Sequence, residues 1–99
     1  MSLKYRQGVS TKDRVLPSFV VSPTVFRARG FRFYFFSREE PRIHVHVHHE
    51  KGEAKIWLEP AIAVAENFGL SRKNLAAALR MAKEHEDEIR TAWQEHFEG

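Results

Sequence analysis

The sequence of 99 residues contains no cysteine, so disulfide bonds and metal sites built on thiolates are both excluded. It also lacks any apolar run near the roughly 20 residues that a membrane-spanning helix needs. Its first residues do not follow the basic, apolar, small-residue order of a signal peptide. We therefore expect a cytoplasmic protein with no membrane segment.

Several catalytic patterns are missing as well. The chain has no glycine-rich phosphate loop, no nucleophile elbow and no Ser-His-Asp order, so ATP hydrolysis and acyl transfer have no support. What is present, 42% hydrophobic and 29% charged residues, is typical of one globular domain.

The charge is distributed unevenly along the chain. Residues 1–50 carry nine Lys and Arg against four Asp and Glu, whereas residues 51–99 carry seven against nine. A basic first half suits contact with phosphates or with an acidic partner, and an ordinary solvated surface is the alternative. The arginines concerned are Arg27, Arg29, Arg32, Arg38 and Arg42.

Prolines and alternating apolar residues divide the chain. Pro17 and Pro23 favour an extended N-terminal arm over residues 1–23, of which we ascribe residues 1–3 to an expression vector. The alternation that follows predicts two β-hairpins. The segment after Pro60 suits either a short helix or a fifth strand, and we expect the strand. The strands are expected over 24–29, 31–37, 43–49, 53–59 and 61–69.

Helical periodicity runs from Ser71, a good N-cap, to Phe97 without a glycine or proline. One helix of that length would measure about 40 Å, so we expect either a projecting helix or two helices with a break near residues 85–87. Trp93 is expected to close the core. The predicted fold class is α+β: an antiparallel meander of four or five strands with one long or two short C-terminal helices packed on one face, in a single domain over 24–97.

The sequence "RIHVHVHHEKG" (42–52) places His44, His46 and His48 in alternation with two valines. Because side chains two apart on a strand share a face, the valines are expected to face the helices. The three imidazoles are then expected on the opposite, accessible face of the sheet, together with Lys55 and Trp57.

Metal binding is one interpretation of this strand. Neighbouring imidazoles would lie about 6.6–7 Å apart, close enough for His44 with His46, or His46 with His48, to share one divalent ion such as zinc. A third ligand would have to come from elsewhere. The available carboxylates are Glu39, Glu40, Glu53 and Glu59.

RNA contact is a second interpretation, because cations and aromatic rings on one sheet face are the ingredients of a strand-binding surface. His44 and His46 would then be candidates for an acid–base pair in metal-independent RNA cleavage. The candidate contact residues, for RNA or for a protein, are Arg27, Arg29, Tyr34, Arg42, Lys55 and Trp57.

Two further interpretations stay open. The sheet face or the C-terminal helix would dock a protein, either a second copy in a homodimer or the product of a neighbouring gene. Alternatively, the histidines are only the polar side of a half-buried strand.

The motif order "PTVFR" (23–27), "GFRF" (30–33), "EEPRIHVHV" (39–47), "GEAKIWLEP" (52–60) and "ENFGLS" (66–71) resembles the domain-of-unknown-function 4160 family of small bacterial proteins. The likeness covers roughly residues 24–97. It supports His44 and His46 more than His48, and the proline run before the histidines is reduced to Pro41. The resemblance implies no established activity. It does imply a gene pair of toxin–antitoxin type, with a cognate protein partner from the neighbouring gene.

Overall fold

The computed structural model describes residues 24–36 and 40–98, so the predicted N-terminal arm over residues 1–23 lies outside the described residues. The described chain forms five strands followed by two helices and a final π-helical turn, which confirms the predicted α+β class. The strands are β1 (Thr24–Ala28), β2 (Phe31–Tyr34), β3 (His44–His49), β4 (Gly52–Trp57) and β5 (Ala63–Phe68). The helices are α1 (Arg72–Glu84) and α2 (Glu86–Trp93), and the turn covers Gln94–Glu98.

The strands form one antiparallel meander in which each pairs with the next along the chain. A two-residue turn joins β1 to β2, with φ angles of 53° at Arg29 and 83° at Gly30. Two positive φ angles in succession match the right-handed twist of a hairpin, and glycine adopts one of them without strain. Each outer pair contains a register shift, which leaves Val25 of β1 and Ala65 of β5 as extra residues.

The helical region consists of two helices with a break, which is one of the two arrangements expected from the sequence. Ser71 Oγ accepts a hydrogen bond from the backbone N–H of Asn74 at 3.1 Å and so caps α1. The break falls at His85, whose ring stacks on Phe26 with 3.9 Å between centroids and whose Nδ1 lies 2.9 Å from a carboxylate oxygen of Glu88. None of the helices in the described part of the chain is long and apolar enough to span a membrane.

The core lies between the helices and one face of the sheet, as predicted for the valines of β3. Val45 and Val47 are completely buried and pair across the sheet with Ile56 and Ala54. The helices contribute apolar side chains to the same cluster, from the small Ala78 and Ala82 to the large Trp93. The aromatic run over residues 31–36 begins in β2 and extends just beyond it. Its core-facing rings are Phe31, Phe33 and Phe35.

Arg90 joins α2 to the end of β4. Its Nη2 donates to the carbonyl oxygen of Leu58 at 3.0 Å, its Nη1 to Glu59 at 2.5 Å and its Nε to Glu86 at 2.9 Å. The hydrogen bonds to Glu59 and Glu86 raise the pKa of Arg90 above its ordinary value. A guanidinium can make all these bonds at once because its donors form a rigid planar fork.

Gly52 is required at the start of β4. A Cβ atom there would lie 2.5 Å from the carbonyl oxygen of Phe68 and 2.8 Å from the backbone N of Leu70. We expect Gly52→Ala to lower the free energy of unfolding by about 1–3 kcal/mol, because backbone atoms must move apart. Urea denaturation measures this, with Lys51→Ala in the exposed turn as control. Equal stability of the two variants would contradict the close approach.

Candidate functional site

The sheet face opposite the helices is called the outer face here. Antiparallel pairing aligns its side chains in rows across the strands, because paired residues point to the same side. One row is Arg27, Arg32, His48 and Glu53, the next is Tyr34, His46, Lys55 and Glu66, and the third is His44 and Trp57.

His44 is completely buried, so the expectation that all three imidazoles are accessible is wrong for this residue. Its ring contacts the rings of Trp57 and Trp93, with centroids 5.6 and 5.3 Å away. Its Nδ1 lies 2.7 Å from the carbonyl oxygen of Arg42, which can only accept, so Nδ1 carries the proton. The two indoles enclose His44 although strand alternation places it on the outer face.

His46 and His48 occupy different environments on the same face. The ring of His46 packs against Phe36 and Tyr34, with centroids 4.1 and 5.5 Å away, and its Nε2 atom is buried. His48 is exposed, and its Nδ1 lies 3.1 Å from a carboxylate oxygen of Glu53. The three histidines therefore change from interior to surface along the strand.

The predicted metal ligands do not form a ligand set. The rings of His44 and His46 are neighbours, with centroids 5.0 Å apart, but His48 lies near Glu53 and is not directed to the same point. Within residues 24–36 and 40–98, no group of three His, Asp or Glu side chains is arranged to hold a metal ion. Glu39, one of the proposed carboxylates, lies outside the described residues.

Three cations of the outer face lie over aromatic rings. The Arg42 guanidinium carbon is 3.9 Å from the ring centroid of Trp57, and Lys55 Nζ is 4.5 Å from it. The guanidinium carbon of Arg32 is 4.4 Å from the ring centroid of Tyr34. Such contacts are attractive because the face of an aromatic ring is electron-rich.

Hydrogen bonds fix all three of these cations in place. Arg32 Nε donates to the hydroxyl oxygen of Thr24 at 2.7 Å. Arg42 Nε donates to the carbonyl oxygen of Glu59 at 2.8 Å. Lys55 Nζ donates to Glu40, and this hydrogen bond is the main cause that lowers the pKa of the Glu40 carboxyl below its ordinary value. The charges of Lys55 and Arg42 act in the same direction. The cations are therefore held in position by the protein's own groups.

Arg27 and Arg29 lie at the far end of the outer face, on the first hairpin. They line an open cavity of about 420 Å³ together with Arg32 and His48. Arg27 is directly opposite Arg32 in the β1–β2 pairing. Like charges in that position repel each other, and an anion bound between them would remove the repulsion.

The sequence-predicted contact residues thus lie on or beside the outer face. Tyr34 is in the middle row but is buried, so the expectation that its ring is accessible is wrong. The others form two groups. Lys55, Trp57 and Arg42 form one group, and Arg27 and Arg29 form the other. Sequence analysis named Arg32 among the basic residues of the first half but did not assign it to this face, although its alternation with Phe31 and Phe33 was the available signal. It also missed Phe36 and Phe68, which are the exposed large hydrophobic residues in the described part of the chain.

Comparisons with known proteins give one family match. The model of the family described as "Domain of unknown function (DUF4160)" matches residues 30–94, which include β2 to β5, α1 and α2. Comparison with curated proteins and with solved structures gave no match.

The burial of His44 leads to a stability prediction. We expect His44→Ala to lower the free energy of unfolding by about 2–4 kcal/mol, because it leaves a cavity between two indoles and an unpaired carbonyl of Arg42. His48→Ala, on the same strand but exposed, should change it by less than about 0.5 kcal/mol. Urea denaturation of both variants makes the comparison, and a small effect of His44→Ala would contradict its enclosed position.

Proposed function

The chain belongs to the DUF4160 family, and from this premise we propose that it binds single-stranded RNA on the outer face of its sheet. The supporting observation is the set of cation–aromatic contacts made by Arg42 and Lys55 on Trp57 and by Arg32 on Tyr34. A nucleic acid strand needs both components, since its bases stack on flat groups while its phosphates contact cations.

The shape of the sheet favours a single strand over a duplex. One face of the meander is covered by helices, and the other presents its rows of side chains across neighbouring strands. Unstacked bases can lie on aromatic rings and on guanidinium planes, whereas the bases of a duplex are stacked on each other and inaccessible to such a surface. The planar guanidinium of Arg42 already lies over the indole of Trp57 and extends the stacking surface.

The charge of the first hairpin supplies the second component. Arg27, Arg29 and Arg32 surround the open cavity at the end of the outer face. A phosphate held there would accept charge-assisted hydrogen bonds from several guanidinium groups. The distance between this cluster and Trp57, at the other end of the face, gives a strand a direction along which to lie.

Cleavage by His44 and His46 is not part of the proposal. His44 is buried, and its Nδ1 proton is donated to the carbonyl oxygen of Arg42. An acid–base catalyst must reach the group whose proton it moves, within hydrogen-bond distance or through one water. The proposed activity is therefore binding.

Contact with a protein partner is the second candidate, and the exposed rings of Phe36 and Phe68 favour it. Exposed aromatic side chains are frequent anchors of protein interfaces. Salt dependence separates the two candidates, because binding that rests on phosphate contacts weakens steeply as the salt concentration rises.

We expect a fluorescently labelled RNA strand of about ten nucleotides to bind the full chain with an affinity that falls steeply with salt. Trp57→Ala should weaken binding by about tenfold, because it removes the ring under Arg42 and Lys55. Arg27→Ala should reduce the slope of log affinity against log salt concentration by about 1, which corresponds to one phosphate contact.

Fluorescence anisotropy measures these affinities, and far-UV circular dichroism checks that each variant is folded. Arg80→Ala, on the exposed surface of α1, is the matched control and should bind as the unsubstituted chain does. Absence of binding at low salt would overturn the proposed function.

We also propose that this binding serves a two-gene module of toxin–antitoxin type, the setting that the family resemblance implies. Expression of this gene, of its neighbour and of both together in a bacterial host tests the idea. One of the two genes alone should slow growth, and the pair should restore it. Normal growth in all three strains would contradict a module of this type.

A further inference from the structure

A small cavity in the middle of the outer face differs from the rest of the site. It has a volume of about 120 Å³, the scale of a single nucleobase, and it is more enclosed than the open basic cavity on the first hairpin. Its lining includes Tyr34, Phe36, His46, Lys55, Glu66 and Phe68.

The walls of this cavity are aromatic. Phe36 and Phe68 are 45% and 63% exposed, although large apolar side chains are normally withdrawn from water. Both line the same cavity, with Tyr34 and His46 beside them. Flat rings around a space of this size suit a flat ligand, because stacking gains contact on each ring face.

Two polar groups of the cavity discriminate between flat ligands, and a third, the carboxylate of Glu53, already contacts His48. Lys55 and Glu66 are directly opposite each other in the β4–β5 pairing. An ammonium only donates hydrogen bonds and a carboxylate only accepts them. A base that fits must therefore present an acceptor next to donors along one edge.

Guanine has this pattern on its Watson–Crick edge. Its O6 accepts, and the adjacent N1–H and N2–H donate in parallel to the two oxygens of one carboxylate. Uracil has the acceptor O2 where guanine has its N2 amino group. That O2 would face a carboxylate oxygen with no proton between the two atoms. Adenine has an acceptor in place of N1–H.

We propose that this cavity, to be called the base pocket, takes one guanine of the bound strand. The base lies between Phe36 and Phe68, Glu66 accepts from N1–H and N2–H, and Lys55 donates to O6. Lys55 has three N–H donors, so its hydrogen bond to Glu40 leaves donors for the base. This inference rests on the proposed function, because it names the base that the RNA-binding face selects.

Four RNA strands of about ten nucleotides test the base pocket by fluorescence anisotropy: uridine only, and the same strand with one central guanosine, adenosine or inosine. We expect the guanosine strand to bind about tenfold more tightly than the uridine strand, which is a modest value for one bidentate contact. Inosine lacks the N2 amino group and should give part of the gain, and adenosine should give none.

Two variants connect the preference to the residues. Glu66→Gln should remove the preference for guanosine, because an amide cannot accept from both N–H groups, and Phe68→Ala should weaken binding of the guanosine strand. Glu84→Gln, an exposed carboxylate on α1, is the matched control and should keep the preference. The inosine strand tests the same contact without any substitution.

The outcomes separate this inference from the proposed function. Equal affinities for all four strands would overturn the base pocket and leave RNA binding in place, whereas no binding of any strand would overturn RNA binding itself. Chemical shift changes of Glu66 and Phe68 on addition of arginine amide, with none on addition of guanosine monophosphate, would assign the cavity to a protein side chain and overturn the inference.

Discussion

The period of two along β3 is the constraint from which the rest of the molecule follows. Val45 and Val47 are completely buried beneath the helices, and a shift of one residue would exchange them for histidines. Such a shift would place polar rings in an apolar core, so the register is strongly fixed. The same register sets the neighbouring strands and brings Tyr34, Lys55 and Glu66 into one row with His46.

Much of this fold can be predicted from local patterns in the sequence. The alternation predicts four strands and leaves the fifth ambiguous with a short helix, and Ser71 predicts the start of the first helix. The length of the helical stretch indicates either one projecting helix or two helices with a break near His85. These features depend on neighbouring residues, so a single sequence contains the information for them.

The site is harder to predict because it depends on residues far apart in the chain. His44 is buried by Trp93, which arrives from the second helix, and nothing around residue 44 indicates that contact. Phe68 lies on the outer face because the extra residue Ala65 changes the alternation within β5. A bulge of this kind leaves no clear signal in one sequence, so strand periodicity alone assigns the wrong neighbours to Phe68.

The extra residues in β1 and β5, the outermost of the described strands, have a consequence for how the molecules behave at high concentration. A straight, exposed strand edge is a template on which another chain can add a strand, and such addition leads to aggregation. Val25 and Ala65 disturb the ladder in β1 and β5, which are the first and last strands that the described residues contribute to the sheet. A local kink increases the twist and makes the edge a poor template. Within residues 24–36 and 40–98, the margins of the sheet thus discourage a second copy of the chain from adding a strand, and so discourage growth into fibrils.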